Sequence, residues 1–137
     1  MSVEENKATV NRLVNEVFNK GNTSIIPELI APGYFYDSPL GIKVEGQEGF
    51  AQFVGMARNA FPDLRMTVEN LIGEGDKLAG SFTLNGTFTG NLGDLKPTGK
   101  KINQKFAIFY RFENGKELEA VEFEDMLAFY QQLGIKP

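Results

Sequence analysis

Apolar positions near the start of the chain recur at helical spacing: Val10, Leu13, Val14, Val17 and Phe18 follow Ser2 and Glu5, and Gly21 ends the run. Ser or Thr followed three residues later by Glu is a capping-box signature, so a first amphipathic helix is predicted. Thr23 or Ser24 can cap a short second helix that carries Pro27 in its first turn and breaks at Ala31-Pro32-Gly33. Tyr34 to Asp37 reads as a short strand. Gly46 opens a third helix with Phe50, Phe53, Val54, Ala57 and Phe61 on one side, closed by Pro62-Asp63. From Met66 the period changes to two. Strands are predicted on either side of Glu74-Gly75-Asp76, with Leu78, Phe82, Leu84 and Phe88 alternating with Ala79, Ser81, Thr83 and Thr87. A Gly- and Pro-bearing loop, Gly90 to Lys101, leads to a strand from Ile102 to Glu113, the Asn114-Gly115 turn, and a strand from Lys116 to Glu124. Asp125 then caps a closing helix that ends at Gly134. Helices first and a meander of strands afterwards imply an α+β fold.

The Asn-Gly turn permits a register to be written. If it holds two residues, Glu113 faces Lys116, and every outward step on one strand matches one on the other. One face then carries Ala107 opposite Glu122 and Phe109 opposite Ala120. The other carries Phe106, Ile108, Tyr110 and Phe112 opposite Phe123, Val121, Glu119 and Glu117. Neither face is plainly polar, so helices are expected on one and a second copy of the chain on the other, as a homodimer through the sheet face. Glu122, placed among Ala107, Phe109 and Ala120, is the carboxylate most exposed to desolvation, which favours its neutral form and suits proton transfer. The competing reading is a hydrated Glu at the sheet rim, paired with Lys105.

Composition narrows the chemistry. The chain has 137 residues, no Cys, no His and a net charge of −4. One domain spanning the chain is expected, large enough to bury a core without disulfides. Without Cys or His the usual zinc and imidazole chemistry is excluded, so acid–base work falls on Asp, Glu, Lys or Tyr. The acidic balance argues against nucleic acid. No apolar run is long enough for a membrane span, and the acidic N-terminus lacks a secretory core segment, so a cytoplasmic location is expected.

Several short words accompany this order of elements: Glu16-Val17-Phe18-Asn19-Lys20-Gly21-Asn22, Ala60-Phe61-Pro62-Asp63, Gly86-Thr87-Phe88-Thr89-Gly90, Pro97-Thr98-Gly99-Lys100 and Gln132-Leu133-Gly134. Together they resemble the SnoaL-like polyketide cyclase family of the nuclear transport factor 2-like superfamily. That resemblance implies a cone-shaped α+β fold, with N-terminal helices packed on a curved, mostly antiparallel sheet, one enclosed pocket and a short C-terminal helix. It also implies cofactor-independent ring closure or isomerisation, with an acidic residue on the last strand as general acid/base. That position falls at or near Glu122, and the His often found across the hairpin falls at or near Ala107. Family members commonly show His where this chain has Asp37, Phe88 and Ala120, Arg near Ser81, and Trp at Val121.

The candidate catalytic set is therefore Glu122 with Asp37 and Tyr36. Phe18, Phe53, Phe88, Ala107, Phe109 and Ala120 are expected as pocket wall. Arg58 is placed at the pocket mouth, where it can bind an anionic group. Asp37, ahead of Ser38-Pro39, also fits an Asx turn, and Arg58 a surface position. No metal and no cofactor is expected. The ligand would be a small apolar or polycyclic carbonyl compound, turned over by an enzyme or held by a non-catalytic binding module of the same fold. A third reading is a dimeric interaction protein with a filled core.

Overall fold

The computed structural model describes residues 2–136. Helix α1 (Val3–Arg12) starts at the predicted capping box: the Glu5 amide donates to Ser2 Oγ and the Ser2 amide to Glu5 Oε1, at 3.1 and 3.2 Å. The helix then widens into a π-helical segment, Leu13–Phe18, closed by the Asn19 amide donating to the Val14 carbonyl. This wider turn carries Leu13, Val14 and Phe18 along one wall of an internal cavity. Such π segments are rare and often occur beside functional sites. A 3-10 turn (Thr23–Ile25) and the one-turn helix α2 (Ile26–Leu29) follow.

Strand β1 (Ile30–Asp37) begins earlier than predicted. Ala31-Pro32-Gly33 lies inside it, where a Pro is tolerated near a strand start and beside an irregular stretch of pairing. A short strand β2 (Lys43–Glu45), not predicted, pairs antiparallel with β1. Helix α3 (Gly46–Ala60) then packs across β1. Strands β3 (Arg65–Glu74), β4 (Lys77–Thr87), β5 (Lys101–Glu113) and β6 (Lys116–Glu124) form the meander, and α4 (Met126–Leu133) closes the chain from its Asp125 cap. The sheet order is β2-β1-β6-β5-β4-β3, antiparallel throughout except for the parallel β1–β6 pair. Among the described residues no helix is long and apolar enough to cross a membrane.

The hairpin turn is as predicted. Asn114 and Gly115 both have positive φ, 52° and 77°, as the tight turn that matches strand twist requires. The predicted register holds only for the first two pairs, Glu113–Lys116 and Phe112–Glu117. Leu118 is then an extra residue, and from Arg111–Glu119 onward every pairing is offset by one. A bulge of this kind bends its strand and reverses which residues face the core. The face assignments made for Ala107, Phe109 and Glu122 are corrected accordingly. Glu122 pairs with Ile108, while Ala107 and Phe109 lie on the opposite, outer face with Phe123 and Val121.

Two apolar clusters fill the interior. The larger joins α1, the π segment and α3 to the inner face of the sheet through residues such as Val17, Phe50, Val54 and Phe82. The smaller lies at the other end and joins Phe61, Phe88, Ile102, Phe129 and Leu133.

Candidate active site

Alternation along β1 turns Tyr36 inward, and the bulge in β6 turns Glu122 inward beside it. The Tyr36 hydroxyl donates to Glu122 Oε1 at 2.6 Å, a short bond of the kind made to carboxyl groups. Glu122 also hydrogen-bonds Glu124, two residues along the same face. Burial, the Glu124 hydrogen bond and the Glu124 charge push the Glu122 carboxyl well above the ordinary range, while the bond from Tyr36 offsets part of that rise. Glu122 therefore keeps its proton to higher pH than an ordinary carboxyl group. The Tyr36 phenol is pushed up by burial and by Glu122, and the Ser38 hydroxyl partly relieves it. Tyr36 is thus a hydrogen-bond donor throughout the working pH range.

Glu124 is anchored from behind. Gln104 Nε2 donates to Glu124 Oε2 at 3.0 Å and to the Asp125 carbonyl at 2.9 Å, and Gln132 Nε2 donates to Gln104 Oε1 at 2.8 Å. A chain of side-chain hydrogen bonds therefore runs from α4 through the carboxyl pair to Tyr36. It fixes the pair's orientation.

These groups open into a cavity of about 110 Å³. Its wall is mainly apolar, including Phe18, Phe53, Met66, Leu84, Phe106 and Ala120. Tyr36 stacks edge-on against Phe53 with ring centroids 5.1 Å apart, which holds the phenol in place. At another point on the wall lies Glu117, 3 % exposed, with Tyr34 and Tyr110. No group of three or more carboxylates among the described residues is placed to hold a metal ion.

Comparison with known proteins comes to bear on this geometry. The sequence profile of the family described as SnoaL-like polyketide cyclase matches residues 8–133. The chain belongs to the SnoaL-like family. No curated protein matches it in sequence. A candidate SnoaL-like polyketide cyclase from Jannaschia sp. CCS1 is 26 % identical, with 98 % of this chain and 94 % of that one covered, at a TM-score of 0.87. IdmH, a candidate polyketide cyclase from Streptomyces antibioticus, is 26 % identical over 95 % and 99 %, at 0.77. AclR, a candidate hydroxylase from Streptomyces galilaeus, is 26 % identical over 99 % and 89 %, at 0.80. The SnoaL-like fold, with helices on a curved open sheet and a short C-terminal helix, is therefore shown, and at family level the chain is grouped with small-molecule enzymes.

In this SnoaL-like chain the structure brings only some of the expected site residues together. Glu122, Tyr36, Phe18, Phe53 and Ala120 meet at the cavity. Asp37 does not: it alternates with Tyr36, faces outward and is exposed. Arg58 sits beside the π segment, where its Nη1 donates to the Phe18 carbonyl at 2.7 Å and its charge is spent on a helix C-terminus instead of a pocket mouth. Phe88 is fully buried against Phe61 in the smaller cluster. Ala107 and Phe109 lie outside through the register offset, and Phe109 is 56 % exposed. The sequence reading missed Glu124 as a partner of Glu122, and it missed Glu117 and Ser38 altogether. The parity of Glu122 and Glu124 was available as a signal. Glu117 lies opposite Phe112 as the register predicts, and it is the bulge after it that brings Glu122 onto the same face.

The family words quoted above also acquire places. Ala60-Phe61-Pro62-Asp63 meets Gly86-Thr87-Phe88-Thr89-Gly90: Asp63 accepts from the Thr87 amide and hydroxyl, both at 2.7 Å, and the Ala60 carbonyl accepts from the Thr89 and Gly90 amides. The Gly99 amide donates to the Phe88 carbonyl, and the Thr98 hydroxyl to the Leu133 carbonyl. These contacts tie together the smaller cluster, whereas the word at 16–22 begins in the π segment, with Val17 in the larger cluster and Phe18 on the cavity wall.

Proposed function

We propose that this SnoaL-like protein is a cofactor-independent acid–base enzyme, of aldol-cyclase or isomerase type, acting on a compact apolar carbonyl compound. The observation that carries this reading is the 2.6 Å bond between Tyr36 and Glu122 in an otherwise apolar cavity. The Glu122–Glu124 pair takes a proton from carbon next to a carbonyl and returns it to oxygen or to another carbon. Tyr36 orients Glu122 and donates to the oxygen as negative charge develops there. The cyclase names of the Jannaschia and IdmH neighbours favour carbon–carbon ring closure, in which the same proton removal generates the nucleophile. The cavity is smaller than the roughly 300–1,000 Å³ usual for drug-sized ligands, which favours one or two rings over an extended polycycle.

The test is exchange of the α-protons of α-tetralone with deuterated solvent, followed by NMR. Wild type is expected to accelerate exchange, and Glu122→Gln to lower the rate about 10²- to 10⁴-fold. Unchanged exchange in Glu122→Gln removes this reading.

A cytoplasmic homodimer completes the proposal. On the outer sheet face Phe109 and Phe123 are 56 % and 59 % exposed and stack edge-on with centroids 5.9 Å apart, which supports a second copy covering that face. Sedimentation of Phe109→Lys is expected to show monomer where wild type shows dimer.

A further inference from the structure

Glu117 is a buried carboxyl group that the chemistry above does not use. It precedes the bulge at Leu118, so it faces inward on the same side as Ala120 and Glu122 although strict alternation would send it outward. Its surroundings are the phenols of Tyr34 and Tyr110, both buried and both lining the same cavity. Among the described residues neither phenol nor carboxyl has a hydrogen-bond partner of its own, and none of their oxygens is sealed off from the cavity. Phe112, the partner of Glu117 across the hairpin, packs its ring against Tyr110 with centroids 5.9 Å apart, and Tyr34 lies on β1 between the residues paired with Glu117 and Glu119, so the three groups share one part of the cavity wall.

Buried polar groups are ordinarily satisfied, and three left open at one place are a site awaiting a partner. We propose that Glu117, Tyr34 and Tyr110 form a second polar station, which binds a hydroxyl or carbonyl oxygen of the ligand at the end remote from the Glu122–Glu124 pair. The substrate class is thereby narrowed to apolar ketones carrying a second oxygen across the ring system. Burial holds the Glu117 carboxyl protonated, its pKa pushed up to about 8, so at neutral pH it both donates and accepts, as do the phenols. A ligand hydroxyl or carbonyl therefore finds a match without meeting a charge. Along β6 the backbones of Glu117 and Glu122 are on the order of 13 Å apart, at about 3.3 Å per residue with one residue taken up by the bulge, and Tyr110, paired with Ala120, lies between them. With both side chains reaching inward, the gap suits a two-ring body.

The inference rests on the cavity being the ligand site of the proposed function. Its test compares α-tetralone with a ring-hydroxylated α-tetralone whose hydroxyl lies across the ring system from the carbonyl, by calorimetric binding at mildly acidic pH. Wild type is expected to bind the hydroxylated ketone roughly tenfold more tightly. Glu117→Leu is expected to abolish that preference, Tyr110→Phe to reduce it, and Glu117→Gln to retain part of it. Glu122→Gln is expected to keep the preference while losing α-proton exchange, so a failure of the Glu122 chemistry is read separately in the same samples. No preference in wild type, or a preference that survives Glu117→Leu, overturns the second station.

Discussion

The two ends of the interior are built on different principles. Around Phe61 and Phe88 the chain is held by hydrogen bonds between local words: Asp63 with Thr87, the Ala60 carbonyl with two amides, Thr98 with Leu133. Around Tyr36 and Tyr110 the cavity wall carries polar groups without partners, and a Glu122 carboxyl pushed well above its ordinary range by burial and by Glu124. The satisfied end fixes the shape, and the unsatisfied end retains the capacity to bind. Stability and chemistry are thus separated along the sheet, in the way expected when a site keeps groups that folding alone would not select. Three of the words by which the family resemblance is read, around Phe61, Phe88 and Thr98, belong to the first end, while Phe18 of the word at 16–22 lines the cavity and Gln132 reaches toward Glu124 through Gln104. Those three speak for the fold and say little about the reaction.

The sharpest way to break this division is to delete Leu118. Without the bulge, either Glu117 or the set Ala120, Glu122 and Glu124 must face outward, so a slip of one residue would expose a whole inner face. The expected outcome is loss of cooperative folding, seen as loss of near-ultraviolet circular dichroism and of a thermal transition. A deletion variant with native stability and intact ligand binding would show that the bulge does not position the site.

Gly90→Ala strikes the satisfied end. A Cβ at position 90 would meet the Asn59 carbonyl oxygen at 2.0 Å, and that oxygen is backbone, so the loop must move and its two bonds to Ala60 must weaken. A loss of about 4 kcal/mol in urea unfolding is expected, at the high end for a single substitution. The variant's remaining folded fraction should still bind ligand with wild-type affinity.

Glu117→Gln strikes the unsatisfied end and should do the reverse. The folded-state pKa of Glu117 lies near 8, above its unfolded value of 4.5, so folding holds the proton more tightly than the unfolded chain does. Wild-type stability is therefore full below about pH 4.5 and declines as pH rises toward 8. Tyr34, Tyr110 and, further off, Glu122 are the titratable groups that face it, and none supplies a compensating positive charge. Glu117→Gln is expected to be more stable than wild type by a few kcal/mol above pH 8, with the difference vanishing near pH 4.5. Urea midpoints across that pH range check it, and equal midpoints for the two proteins at all pH values would contradict it.

Much of the fold was legible because its signals are local. The Ser2–Glu5 box, the Asn114-Gly115 turn, the Asp125 cap and the change of period at Met66 each act within a few residues. The short β2 was missed because three residues beside a loop carry no period, and the start of β1 because Pro32 and Gly33 read as breakers. Tyr36 and Glu122, which the structure brings together in the cavity, were legible as candidates by residue type and position. Their neighbours were not, since one inserted residue at Leu118 exchanges Ala107 and Phe109 for Ile108 and Tyr110 across the hairpin, and nothing in Glu117-Leu118-Glu119 announces it. Asp37 failed by strand parity. Arg58 failed because the carbonyl it serves belongs to a π segment forty residues away in sequence.

The proposed chemistry depends above all on protonated carboxyl groups on the inner face of β6. Carboxyl-carbon NMR of selectively labelled Glu, followed through a pH titration with Glu117→Gln and Glu122→Gln to assign the signals, measures this directly. Both residues are expected to titrate well above the ordinary Glu range, Glu117 near pH 8. Titration of both near the value of free Glu would mean that they are hydrated strand residues, and the site described here would not exist.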